Sequence, residues 1–236
     1  MHIRKIVSPT LRSAQDRQWA FLGALEAKGY PLDRFEFYFS DGKHASDYGG
    51  NEGLMRAAQA DGFGIFDHIL RGWSSEEMER VGGGRLGYAW SCAAILREII
   101  DAGGSDPTMF VLDDLRMRLD WCDLEPFLRR FEHEAPEWRL LQMFHLRLDK
   151  APYENRYAVP ALNNYGVRVN RGLLGHGEHC MLVKPSAART LLENLMTGGW
   201  TMEMVMWTLR DEPEFYSTHE NMVEGLLWGR LSQNSD

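Results

Sequence analysis

"TMFVLDDLRM", residues 108–117, decides how the rest of the chain is read. The run from Thr108 to Leu112 is apolar and β-favouring, and it ends on Asp113–Asp114 with Arg116 and Arg118 just beyond. A strand this apolar belongs inside a sheet with both faces covered. Two neighbouring carboxylates at its C-terminal end repel each other unless something positive sits there. A divalent ion carrying phosphates meets that need, because ligands of open α/β sheets bind beyond the C-terminal ends of the strands. Asp113 and Asp114 are therefore candidate ligands for Mn²⁺ or Mg²⁺. A solvated turn has the same appearance, so the dipeptide needs context.

Upstream, "GGGRLGYAWSCAAILREIIDAGG" (82–104) is a Gly-rich entry to a strong helix, with Gly103–Gly104 as its stop. Backbone N–H groups at such an entry can meet an anion. The run is not a GxxxxGK[ST] loop, and no GxGxxG follows a strand. "IRKIVSP" (3–9) reads as an opening strand stopped by Pro9. Residues 11–30 place apolar side chains at 11, 19, 21, 22 and 25 on one helix face, with Gly29 as C-terminal cap. "RFEFYFSDG" (34–42) alternates Phe35, Phe37 and Phe39 and stops at Asp41–Gly42, a strand running into a turn. Strand, helix, strand is a βαβ unit and implies a parallel sheet. A loop with a short helix follows, then a helical turn at 75–81.

Downstream, the pattern predicts a helix over 124–136 ended by Pro136, then 138–149, which fits strand or helix with strand favoured, and a long Pro-, Asn- and Gly-rich loop over 151–179. It then predicts a strand at 179–185, a helix over 186–199 with Ser186 as N-cap, and a helix over 201–211. A loop as long as 151–179 is uncommon without a function. The expected fold is α/β and Rossmann-like: a mostly parallel central sheet flanked by helices, in a single domain over 1–236. Its halves would be a nucleotide-binding part (1–120) and an acceptor part (121–236).

The composition narrows the function classes. The net charge of −8 gives no global basic field to draw in nucleic acid or anionic membrane, although a local basic groove is compatible with it. Three cysteines, Cys92, Cys122 and Cys180, lie far apart with no CxxC, which points to reduced thiols and away from a disulfide framework or a zinc site. No apolar run approaches the roughly 20 residues that span a bilayer, and "MHIRKIVSPTLR" lacks the apolar centre of a signal peptide. A soluble, cytoplasmic protein is expected, in the host cytoplasm if the source is viral. Eight Trp and twelve Met suit an irregular core or aromatic walls around a flat ligand. There is no GxSxG elbow and no HExxH. Arg12 and Arg17 follow the first strand and suit phosphates. His176 and His179 flank "GE", and His219 sits in the polar turn "YSTHEN".

Taken in order, these blocks resemble glycosyltransferase family 25, the lipooligosaccharide and procollagen-type sugar transferases. "PTLRSAQDR" (9–17), "FEFYFSDG" (35–42), "GRLGYAWSCAAILREI" (84–99), "FVLDDL" (110–115) and "CMLVKPSAARTLL" (180–192) follow the order of that family's blocks, with Glu203 of "TMEMVM" at the place of a later acid. The chain departs from the family at Leu112, where an acid precedes the Asp pair, at Cys92 for a His, and at Arg85 for a Glu.

The resemblance implies a GT-A-like fold, a nucleotide-sugar donor (UDP-sugars favoured), and Mn²⁺ or Mg²⁺ on Asp113 and Asp114 with His219 completing the shell. It implies donor contacts from Pro9, Thr10, Arg12, Arg17, Asp41, Arg85, Ser91 and Asp113, and catalytic roles for Asp114 and for Glu203 as the base of an inverting transfer. The acceptor would be a glycan, or a 5-hydroxymethyl-pyrimidine base in DNA. A flipped base would use Trp73, Trp90, Trp200 or Trp207 as walls and Arg168 and Arg171 as a basic rim. The loss of an acid at Leu112 also fits a non-catalytic nucleotide-binding module of the same fold.

Overall fold

The computed structural model describes residues 1–11, 14–64, 74, 76, 83–144, 167–175, 177–197 and 201–225. Along them run β1 (Lys5–Thr10), α1 (Gln15–Ala27), β2 (Glu36–Asp41), α2 (Asn51–Ala60), α3 (Gly83–Asp101), β3 (Thr108–Val111) and β4 (Leu115–Met117). Then come α4 (Trp121–Glu134), β5 (Leu140–Gln142), β6 (Val169–Arg171), β7 (Cys180–Val183), α5 (Pro185–Thr197), α6 (Met202–Thr208), β8 (Phe215–Thr218) and β9 (Val223–Gly225).

Seven strands form one sheet in the order β2-β1-β3-β7-β5-β8-β6, and β4 pairs with β9 in a separate ribbon. β2, β1, β3, β5 and β8 point the same way, while β7 and β6 run against them. The architecture is α/β with a mostly parallel sheet, compatible with a Rossmann-like fold. The sheet crosses both halves of the chain, joined where β3 meets β7.

Both faces of the sheet are covered, as its apolar strands require. Strand residues alternate between two cores. Ile6, Met109, Val111, Leu141, Leu182 and Tyr216 face α1 and α4; Val7, Phe110, Leu140, Met181, Val183 and Phe215 face α2, α3, α5 and α6. α1 stops as predicted at Gly29, which takes φ +70° while Tyr30 N–H bonds to Leu25 O and Gly29 N–H to Glu26 O.

Three details differ from the sequence reading. Pro9 does not end β1 but lies inside it. The β1–β3 ladder ends at Val7–Phe110, whereas β1–β2 continues to Thr10–Asp41. Pro9 has no N–H to donate, and it sits where β3 no longer pairs. Ser186 is the second residue of α5 rather than its cap: Pro185 opens the helix, where a missing N–H costs nothing. The stretch read as one loop over 151–179 contains β6, which pairs with β8; residues 151–166 lie outside the described residues, as does nearly all of 75–81. Among the described residues no helix is long and apolar enough to cross a membrane.

Candidate functional site

β1 has β2 on one side and β3 on the other, so the chain switches direction across the sheet at the β1/β3 boundary. Open α/β sheets form their ligand crevice at such a point, beyond the carboxyl ends of the strands. Because β1 and β3 part after Val7 and Phe110, that crevice is already opening within the sheet. A cleft of about 170 Å³ fills it, lined among others by Pro9, Thr10, Arg17, Tyr88, Ser91 and Asp113. It shares Leu11, Gly42, Lys43 and His44 with a larger chamber of about 680 Å³ that Asp41, Asp47 and Tyr48 extend.

Three elements converge there. Thr10 ends β1, and its hydroxyl donates to Asp113 Oδ2 at 2.6 Å. Arg17 comes from the first turn of α1, and its charge acts on both Asp113 and Asp114. α3 presents Gly84, Tyr88 and Ser91, spaced to share one helix face. Ser91 Oγ donates to Gly87 O at 2.7 Å and accepts the Lys43 N–H at 3.0 Å, which ties the loop after β2 to α3. A Cβ on Gly87 would stand 1.8 Å from Lys43 O, so only glycine permits this approach. Gly87→Ala gains helix propensity yet forces loop and helix apart. It should cost about 2 kcal/mol and lower the melting temperature by about 5 °C; an unchanged melting curve would show the approach to be slack.

Asp113 is buried and Asp114 half-buried, so the pair is not a freely solvated turn. Asp113 is 6% exposed, and Asp114 Oδ1 is buried with no hydrogen-bond partner. Burial holds both carboxyls above the ordinary aspartate value. Arg17 pulls each back down, Thr10 does so for Asp113, and Asp114 adds repulsion on Asp113. The arginines that follow in sequence do not neutralise the pair. Arg116 Nε lies 2.6 Å from Glu224 Oε1, and Arg118 Nε 3.7 Å from Glu224 Oε2, across the β4–β9 ribbon. Two carboxylates, one with an unsatisfied buried oxygen, are hard oxygen donors of the kind Mg²⁺ and Mn²⁺ take, so the residues fit such an ion. Among the described residues, no three His, Cys, Asp or Glu side chains converge in a ready-made cation cage.

A second group of polar side chains flanks the pair. β7 runs antiparallel to β3, and Leu112 N–H bonds to His179 O, which sets Glu178 and His179 beside the acid-bearing turn. The backbone before them is clamped by Gln142 on β5. That fully buried carboxamide accepts the Gly175 N–H at 2.8 Å and donates to Gly175 O at 2.9 Å and to Gly177 O. Glu178 is 8% exposed, and burial raises its pKa to about 7, opposed by Tyr88 and assisted by Glu203. The Tyr88 hydroxyl approaches Glu178 and Cys92 without hydrogen-bond geometry. The His179 ring packs 4.8 Å from Phe144, its Nδ1 is buried and unpartnered, and burial keeps its pKa low against the pull of Glu203. Glu203 is on the exposed face of α6, whose N-cap Thr201 accepts the Met204 N–H.

Of the residues singled out from sequence, Pro9, Thr10, Arg17, Ser91 and Asp113 meet in the cleft, Asp114 adjoins it, Asp41 lines the larger chamber, and Glu203 acts on the flanking Glu178 and His179. His219 is on the same rim but at the end of β8. That is three strand spacings from β3, roughly 14 Å, with Arg168 and Glu220 acting on its ring. Arg12, His176, Trp73, Trp200 and the Arg85 side chain lie outside the described residues. Trp90 Nε1 donates to Asp61 at 2.7 Å, and Trp207 is 37% exposed under the Arg210 guanidinium. Arg168 pairs with Glu220 and Arg171 with Glu137, so these two cations of the supposed basic rim already have carboxylate partners. The sequence reading missed Lys43, Tyr88 and Glu178. The "GE" of 177–178 was visible, but only the register of β7 against β3 brings it to the acid pair.

No protein-family model matches the chain, and no curated protein matches it.

Proposed function

We propose that this chain is a glycosyltransferase of GT-A-like fold, moving a hexose from a nucleotide sugar, UDP-sugars first, to an acceptor hydroxyl, with a divalent cation held by Asp113 and Asp114. The observation that carries the reading is the acid pair, left unneutralised by Arg116 and Arg118 and with an orphaned Asp114 oxygen, at the mouth of the switch-point cleft. Buried like charges cost stability, and sites that keep them are commonly functional. The order of blocks that resembles family 25 supports the choice of substrate class.

A bound cation would neutralise charge on the departing diphosphate. Arg17 adds a fixed positive charge on the same side. Thr10 holds Asp113 in one orientation, so the carboxylate need not reorganise as charge builds. In an inverting transfer Glu203 accepts the proton of the acceptor hydroxyl as its oxygen bonds to the anomeric carbon and the bond to the diphosphate breaks.

The direct test incubates the protein with UDP- and GDP-sugars and Mn²⁺ and measures released nucleotide. Release stimulated by saccharides, or instead by hydroxymethylated DNA, identifies the acceptor. Nucleotide binding without release would leave a non-catalytic nucleotide-binding module, and neither release nor binding would remove the donor site. Thr10→Val, which keeps the shape and removes the hydroxyl, should weaken Mn²⁺ binding about tenfold; titration calorimetry showing unchanged affinity would make the Thr10–Asp113 bond purely structural.

A further inference from the structure

The cleft contains a cation that the acid pair does not engage. Lys43 follows β2 and lines both chambers. Its main chain is fixed from two sides, by the Ser91 hydroxyl on its N–H and by the close face of Gly87 against its carbonyl. Its ammonium stands 5.4 Å from the centre of the Trp90 ring. Among the described residues it has no hydrogen bond and no carboxylate within 4.0 Å. The nearby Asp61 is occupied by Arg97 at 2.7 Å and by the Trp90 indole.

The other basic side chains of the cleft already have partners. His44 Nδ1 pairs with Ser46 Oγ at 2.8 Å and receives the Ser46 N–H, capping the short turn at 45–48. Arg17 faces the two aspartates. Lys43 thus combines an anchored backbone with a long, flexible stem whose charge is felt by Asp61 but touches no carboxylate, at the junction of the two chambers. A compact ammonium of this kind suits a phosphate oxygen that has no fixed fork geometry.

We propose that Lys43 contacts the phosphate chain of the bound nucleotide and sets a preference for nucleoside diphosphates over monophosphates. The inference rests on the donor-site reading above and adds to it the residue that counts phosphates. The test measures binding of the di- and monophosphates of uridine, guanosine, cytidine and adenosine by calorimetry at saturating Mn²⁺, for the wild-type protein and for Lys43→Met. The methionine keeps most of the stem against Trp90 and removes the charge. Wild-type protein should prefer one diphosphate over its monophosphate. Lys43→Met should lose about tenfold to a hundredfold in affinity for that diphosphate, with monophosphate affinity and ligand-free melting temperature little changed. If Lys43→Met retains the wild-type ratio, or weakens both ligands equally, the proposal is overturned and the donor site stands. If the wild-type protein binds none of the eight nucleotides, the donor site falls and the role of Lys43 falls with it.

Discussion

Asp114→Asn should abolish Mn²⁺-dependent release of nucleotide from the preferred sugar donor, by about a hundredfold or more, while the protein in EDTA melts no lower than wild type. The pairing of these outcomes follows from the setting of Asp114. The residue is half-buried, its Oδ1 is buried with no hydrogen bond, and burial raises its pKa. A carboxylate under those conditions destabilises the ligand-free fold at neutral pH, and the neutral, isosteric amide relieves that cost. An acid retained for structure behaves in the opposite way, because its removal strands a partner. A cation at the site would stabilise wild-type protein by mass action, so added Mn²⁺ should raise the melting temperature of wild type and not of Asp114→Asn. A variant that keeps full turnover, or one that melts several degrees lower in EDTA, would remove the acid pair from the chemistry.

Why this much was legible in the sequence, and no more, follows from how each signal arises. β3 and α3 announce themselves locally: an apolar run with a charged end, and a Gly-bounded helix of 19 residues. The βαβ opening likewise rests on periodicity that any window reveals. β4, β6 and β9 are three residues each, and β8 reads "FYST". Their strand character comes from pairing: β6 with β8, β8 with β5, and β4 with β9 across more than a hundred residues. No local pattern encodes such partners. The site divides the same way. Asp113, Asp114 and Arg17 stand at the ends or starts of elements that could be read, and general rules place ligands there, while Thr10 entered only through the resemblance because the first strand was read as ending at Pro9. Lys43 and Glu178 acquire their positions from a glycine contact on α3 and from a reversed strand, both long-range facts.

Glu178 should make the protein less stable as pH rises, and Glu178→Gln should remove that loss. The carboxyl is held at about 7 against an ordinary 4.5, chiefly because burial penalises its charged form. Between those values the folded state binds the proton more tightly than the unfolded chain. Stability from this group is therefore full below about 4.5, declines through the interval, and is lost once the pH passes about 7. The difference corresponds to about 3 kcal/mol. The two aspartates shift in the same direction and add to the wild-type slope, while His179 and His219, held low, lose stability as pH falls and bend it the other way. Subtracting the Glu178→Gln curve from the wild-type curve cancels those shared contributions to first order. Denaturant unfolding in EDTA should find the two proteins nearly equal at pH 4.5 and the variant about 3 kcal/mol more stable at pH 8. A difference that does not vary with pH would mean that Glu178 ionises normally. The carboxyl would then be a hydrated surface group, and the flank of the cleft formed by Tyr88, Glu178 and His179 would be open to water rather than enclosed.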